Sequence, residues 1–558
     1  MISYVLFVFI LILSVLATVL IHGIYSLLII RKPVSPLRYT HTPPKTHPVK
    51  YDTRTLKYRN MVYYPWIFSK SLRHSDMGFC TKKDGDVLIN VFRSNLDPVT
   101  VKELGKCIDE GALFKLEGLQ SAVSGWIKGC APSTIHGYDL CHQIDHLQST
   151  CDMVELYEMS MLRDTPLYTI QTEGTPGIKN ALAVLNAYLD KKAYTGPLEG
   201  GRVTGKVLFR GIGKGESIGP YVSQLLMLSS YYNNTKVAQK YQEELDVEDS
   251  VDTEYLVNIQ RCRIKNQSIF GKNSRYIYSG RMLGSIVHKD ALYWAYYNAS
   301  LILLKNKFQL ANMGGPETTS WTDQGVPDLL SSIADVSLGA LRCAWYTKYN
   351  IGLRIRPEIY ALRIDQLLKY PELKKSSVFK TIHYNLNSAQ GTLDRVSASN
   401  RNNSHLLKLM YPEGSPCHPS YPAGHAMVAG ACVTVMKAFF KTHGNDKKPL
   451  PWGIDTVHSL NGNTKVPYLE PDGKYITLCG ELNKLGSNMS HGRNFAGVHY
   501  RSDSDMGMIL GEKFAICYLQ SKLQEYYVSG VGNSLSFDLE KLNGDIVHIT
   551  ADSSIRPI

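Results

Sequence analysis

The chain has 558 residues, 44% of them hydrophobic and 20% charged, with a formal net charge of +12. At roughly 150 residues per domain, this length admits several domains and a large core. The basic residues are scattered, with no run of five or more, which argues against a nucleic-acid partner. The 11 cysteines include no CxxC pair and no zinc-type His/Cys spacing, so no metal–thiolate site is indicated, and their odd count leaves the redox compartment open.

In chain order, the N-terminus differs from everything after it. Residues Ile2 to Ile30 contain no Lys, Arg, Asp or Glu, and at about 1.5 Å per helical residue such a run spans a bilayer core with some tilt. Residues 1–31 are therefore expected to form an N-terminal transmembrane helix, giving a membrane location through a single-pass anchor. The competing reading is a cleaved signal peptide, which would make the protein secreted, but the usual basic start is missing. Positive charge follows the run, at Arg31, Lys32, Arg38, Lys45, Lys50, Arg54, Lys57 and Arg59, with only Asp52 opposing it. The positive-inside rule then puts the bulk of the chain on the cytoplasmic side; resting on one loop, this leaves the side of the membrane open.

Residues 32–51, rich in Pro, Thr and His, read as a linker. Residues 52–174 read as an N-terminal elaboration of loops and short helices. From 175 to 558 the pattern is mainly helical: Lys179 to Leu189, Ile218 to Ser230, Asp290 to Leu304, Asp328 to Tyr346, His425 to Lys441 and Leu482 to Val498 carry apolar residues at helical spacing. The stretches starting at Ser534 and Asp545 alternate around Asn543-Gly544 and predict a small C-terminal β-hairpin.

Three segments carry chemistry. Lys348 and Arg356 stand eight residues apart, about 12 Å along a helix. Pro357 disfavours helical backbone at Arg356, so the helix is expected to end there. Two long cations near a helix end can converge on one anion, although such a pair alone is usually a solvated basic face. In the segment from Ser415 to Ala426, Pro416, Pro419 and Pro422 impose an extended approach, and Ala423-Gly424 turns the chain into a helix beginning near His425. That turn aims the Gly424 N–H at an oxyanion, and the His425 imidazole can reach whatever the turn binds. In the third segment Arg493 precedes His499 by six residues, and Asp503 lies four beyond on the same face. Asp503 can then orient His499 through one ring nitrogen, leaving the other as a nucleophile or metal ligand. A single helical histidine is otherwise most often a core or surface residue.

In this order Lys-x7-Arg-Pro, Pro-x-Gly-His and Arg-x5-His-x3-Asp resemble the signature of the vanadium-dependent haloperoxidases and the related acid phosphatases. The resemblance runs from roughly Leu208 to the hairpin. It includes Leu208-Phe-Arg-Gly, Gly219-Pro-Tyr-Val-Ser-Gln, the run from His288 to Ala299 and Glu481-Leu-Asn-Lys-Leu, all similar to the algal bromoperoxidase branch.

The resemblance implies a helical catalytic domain over 175–558, built as two four-helix bundles, with vanadate, vanadium(V), at the bottom of a funnel. It implies His499 as the vanadium ligand, and Lys348, Arg356, Arg493 and the backbone at Ala423-Gly424 as the vanadate cradle. His425 becomes the acid–base group and His418 and Trp345 the shapers of the halide pocket. Asp503 supports His499, and Asp290 is a candidate partner of Arg493. The implied reaction oxidises bromide or iodide with hydrogen peroxide to hypohalous acid, which halogenates small organic acceptors; chloride is left open. Relatives of this branch are oligomeric, so a homo-oligomer is expected. Ala423 departs from the pattern, because the family usually has Ser there, donating a hydrogen bond to a vanadate oxygen. Two alternatives remain open: an acid-phosphatase-type phosphomonoesterase, with His499 as nucleophile, and an inactive membrane-tethered homologue.

Overall fold

The computed structural model describes residues 51–123, 141–245, 252–265, 267–311, 321–452, 456–528, 535–550 and 555–557. Its longer helices are α1 (Lys82–Arg93), α2 (Pro98–Cys107), α3 (Leu147–Leu162), α4 (Pro176–Asp190), α5 (Thr253–Gln260), α6 (Gly280–Ile286) and α7 (Trp294–Lys305). They continue with α8 (Val326–Thr347), α9 (Pro357–Lys369), α10 (Ser377–Asn385), α11 (Gln390–Ser399), α12 (Gly424–Phe439), α13 (Leu478–Phe495) and α14 (Arg501–Val528). Several starts are written locally. Thr175 accepts the Ile178 N–H ahead of Pro176, and Thr477 accepts the Gly480 N–H.

The helices pack in two groups. One joins α3 to α4, α9, α10 and α11; the other joins α8, α12, α13 and α14, with α6 against α13. At the heart of the second group α12 is buried along nearly its whole length. It lies against α14 closely enough that a Cβ on Gly430 would sit 2.1 Å from the Met508 carbonyl oxygen, and one on Gly511 2.2 Å from that of Met427. Only glycine permits this approach, which brings the start of α12 beside the start of α14: the Ala423 N–H donates to the Asp503 carbonyl at 3.0 Å.

The predicted C-terminal hairpin is present as Ser536–Glu540 paired antiparallel with Ile546–Thr550, turning at Gly544 with φ 92, and a third strand, Ile555–Pro557, extends it. The N-terminal elaboration packs under the end of α8, where the Tyr51 hydroxyl donates to the Tyr349 carbonyl at 2.6 Å and the Phe68 N–H to that of Leu353 at 2.7 Å.

Several expectations are corrected. Among the described residues no helix is long and apolar enough to cross a membrane. The segment on which the transmembrane helix rested, 1–31, and most of the linker lie outside the described residues. Among the described residues the fold is mainly helical with no helix that could span a membrane, so the N-terminal transmembrane helix and the single-pass membrane location are not carried further. Ile218 to Ser230 is not a helix. Gly219 (φ 76) and Pro220 break it, and the chain makes only a 3-10 turn at Gln224–Leu226 before a strand at Ser230–Tyr232. Its apolar spacing reflects a buried loop. Helix α13 stops at Phe495 because Gly497 takes φ 82, so Arg493 and His499 do not share a helix.

Candidate active site

Helix α8 ends earlier than Pro357 suggests. Lys348 opens a π-helical turn, Lys348–Gly352, and Leu353 follows in left-handed backbone (φ 44), a strained state for a branched side chain. Arg356 is then the extended N-cap of α9, with Pro357 as its first residue. The helix break thus sits on the Lys348 side of the motif, and an irregular connection carries both cations.

Lys348 is fully buried; its ammonium donates to the Pro419 carbonyl at 2.7 Å and the Ser420 carbonyl at 2.9 Å. Arg356, equally buried, donates to the carbonyls of His418 (2.9 Å) and Val498 (2.8 Å), to His418 Nδ1 (2.9 Å) and to His499 Nε2 (3.0 Å). Arg493 donates to the Val287 carbonyl at 2.6 Å and lies over the Tyr411 ring, while its Nε has no partner. Among the described residues none of these three cations pairs with a carboxylate.

The histidines are oriented by their neighbours. His499 Nδ1 donates to Asp503 at 2.9 Å, since a carboxylate can only accept, and its Nε2 is left as an acceptor. Asp503 opens α14 as a capping residue, accepting the Tyr500 N–H at 3.2 Å. It also accepts from Arg354 at 2.6 Å and from the Ser420 hydroxyl. His425 Nε2 donates to Asp290 at 2.8 Å. The hydrogen-bonded partner of Asp290 is thus His425; Arg493 acts on that carboxylate only through its charge. His418 lies against Trp345, ring centres 4.4 Å apart, and the Trp345 indole donates to the Glu117 carbonyl at 2.9 Å.

Burial and the cationic surroundings set the protonation states. Burial and Arg356 push Lys348 well below its ordinary value, and burial pushes Arg356 down to about 10. Burial, then Arg356, lowers His499 well below the usual imidazole value despite Asp503, and burial with Lys348 does the same to His418. Burial works against the charge on Asp503, but Arg354 and His499 outweigh it and hold the carboxyl below its usual range. His499 is therefore neutral, with an unprotonated Nε2 beside a guanidinium.

A cavity of about 340 Å³ opens onto these groups. His425, Arg493, His499 and Gly424 give it a polar end, and Leu341 and Trp345 an apolar side. Lys348 and Arg356 stand behind that lining. Ala423, fully buried, is the N-cap of α12 and offers no side-chain cap. The donor set fits a tetrahedral oxyanion: three buried cations with no carboxylate in direct contact among the described residues, a helix N-terminus and a neutral imidazole nitrogen.

Sequence reasoning missed Arg354 and Ser420, which commit Asp503. The Arg354-Ile-Arg356 spacing, with period-two alternation in an extended stretch, was the available signal for Arg354. Nothing in the sequence marked Ser420 apart from the neighbouring prolines.

Comparison with known proteins finds similarity to the vanadium haloperoxidases. Residues 397–527 match the VCPO second helical-bundle domain. The chain is 32% identical over 395 residues to a vanadium-dependent bromoperoxidase of Corallina officinalis, covering 62% of this chain and 64% of that one. It is 27% identical over 519 residues to one of Ascophyllum nodosum, covering 87% of each. The structure of a second, homohexameric vanadate-dependent bromoperoxidase from Ascophyllum nodosum superposes with a TM-score of 0.78 at 23% identity, over 89% of this chain and 86% of that one. By sequence and fold the chain is related to the vanadium-dependent haloperoxidases; it spans about 64% of the length of the Corallina relatives it matches.

Proposed function

We propose that this protein is a vanadate-dependent haloperoxidase that oxidises bromide or iodide with hydrogen peroxide to hypohalous acid, which halogenates small organic acceptors. One observation carries the reading: Arg493 lines the cavity, Lys348 and Arg356 are buried against its lining residues Trp345, His418 and His499, and among the described residues none of the three cations pairs with a carboxylate. Buried charge of one sign is costly unless it is paired, so such a cluster is built for an anion. Bound there, vanadate supplies a Lewis-acidic centre that activates peroxide toward halide.

The residues around that centre have separable tasks. The three cations and the Gly424 N–H neutralise and orient the oxyanion. His499 offers Nε2 as the single protein ligand, and Asp503 fixes that tautomer from the other side of the ring. His425 donates Nε2–H to Asp290 and so keeps Nδ1 available to take a proton from hydrogen peroxide, with the Asp290 charge stabilising the imidazolium. Trp345 and His418 shape the halide side and limit water. Ala423 removes one donor and weakens retention of the anion. The names of the Corallina and Ascophyllum relatives support bromide as a substrate. We infer self-association as well, supported by the homohexameric fold neighbour.

The test is bromination of a phenolic acceptor by the purified protein with hydrogen peroxide, with and without vanadate and with phosphate in excess. Vanadate-dependent bromination, suppressed by phosphate and lost in His499→Ala, is expected. Hydrolysis of an aryl phosphate without bromination would assign the site to phosphoryl transfer instead, and inactivity in both assays would make the chain a non-catalytic homologue.

A further inference from the structure

Two cysteines line the cavity, Cys262 and Cys417. Though 155 residues apart in sequence, their sulfurs are 3.0 Å apart, about 1 Å beyond a covalent S–S bond. Cys262 sits just past the end of α5 with φ 55, the left-handed position where helices ordinarily place Gly or Asn. Its backbone is pinned there: its N–H donates to the Ile259 carbonyl at 3.0 Å, and its carbonyl accepts the Leu113 N–H at 2.8 Å. Cys417 immediately precedes His418, and its carbonyl accepts the Glu117 N–H at 3.0 Å and the Tyr349 hydroxyl at 3.1 Å. Both thiols are thus aimed at each other by fixed backbone, in a wall that small solutes in the cavity can reach. The ammonium of Lys70, which donates to the Glu413 carbonyl at 2.8 Å and to that of Ser415, also lines the cavity. The hydrogen bond from Cys417 lowers the Cys262 thiol below its ordinary value against the effect of burial, and Lys70 adds to the lowering.

We propose that Cys262 and Cys417 form an oxidisable thiol pair in the wall of the active-site cavity, which hydrogen peroxide converts to a disulfide. The Cys262 thiolate attacks one peroxide oxygen; the O–O bond breaks, the departing hydroxide is protonated to water, and a sulfenic acid remains. The Cys417 sulfur then attacks Cys262, the S–S bond forms, the S–O bond breaks and a second water leaves. Two thiols lose two protons and two electrons, and one peroxide is reduced to two waters. The bond ties the end of α5 to the segment that delivers His418 to Arg356. Only the source of peroxide in the working enzyme rests on the proposed function.

The experiment uses the full chain, reduced and then treated with hydrogen peroxide without vanadate or halide, alkylated, and peptide-mapped without reduction. A Cys262–Cys417 linked peptide, two hydrogens lighter than the separate peptides and lost on reduction, is expected. In Cys417→Ser, Cys262 is expected to accumulate as a sulfenic acid trapped by dimedone. Both cysteines remaining fully alkylatable after peroxide, or either pairing with a different cysteine, would overturn the assignment. The wild-type map needs no variant to fold. A linked peptide in a protein that never brominates would sink the haloperoxidase reading and leave the thiol pair standing.

Discussion

At the scale of single residues, the site turns on groups that are buried and charged for a purpose other than stability. Asp503 shows the contrast: its hydrogen bonds go to Arg354, His499 and Ser420, so it acts on Arg356 and Lys348 only through its charge. Ala423 is where the chain departs from the serine usual in the family it resembles. At the N-cap of α12 it supplies neither a cap nor a donor, and a serine there gains a hydrogen bond to a charged oxygen, about 1.5–3 kcal/mol. Ala423→Ser is therefore expected to tighten vanadate binding at least tenfold in equilibrium dialysis. Equal affinities in the two proteins would mean that the hydroxyl has no role in holding the anion.

At the scale of elements, the site is made by a close crossing and by an irregular turn. Glycines let α12 and α14 touch backbone to backbone, so Ala423–His425 and His499–Asp503 meet although they are far apart in sequence. A methyl at Gly430 would run first into the Met508 backbone, which cannot swing aside as a flexible side chain can. Gly430→Ala is accordingly expected to lose about 1–3 kcal/mol to overpacking, more than the ~1 kcal/mol it gains in helix propensity. A lowered thermal midpoint together with weaker anion binding is the expected reading; an unchanged midpoint would show that the helices can part freely. The helices α4, α7, α8, α12 and α13 were legible from apolar spacing, because each presents a one-sided stripe or a long buried run. The π turn at Lys348 and the left-handed Leu353 were not, since nothing local favours them and the N-terminal segment packed beneath imposes them. The helix read over Leu482 to Val498 overran its end because of Gly497, which resembles any glycine until its φ is known.

For the whole molecule, order and spacing of the motifs carried the site further than any element prediction did. Lys348, Arg356, His418, Ala423, Gly424, His425, Arg493, His499 and Asp503 come from segments that only the tertiary fold brings together, and the order of the three motifs, with the resemblance they carry, pointed to them in the sequence. The membrane anchor read from the apolar start has no counterpart among the described residues. The central claim is that the buried cations hold one oxyanion, and the most direct measurement is vanadate bound per chain, by elemental analysis after equilibrium dialysis, across pH in the wild type and Lys348→Met. Burial and Arg356 depress Lys348 in the anion-free site, while a bound anion favours its charged form. At pH above the depressed empty-site value, binding takes up a proton at Lys348, so over that range affinity falls as pH rises, by at most about tenfold per pH unit more in the wild type than in Lys348→Met. One vanadium per chain, with that difference in slope, is the predicted result. No saturable vanadium, or the same pH slope in both proteins, would contradict the account.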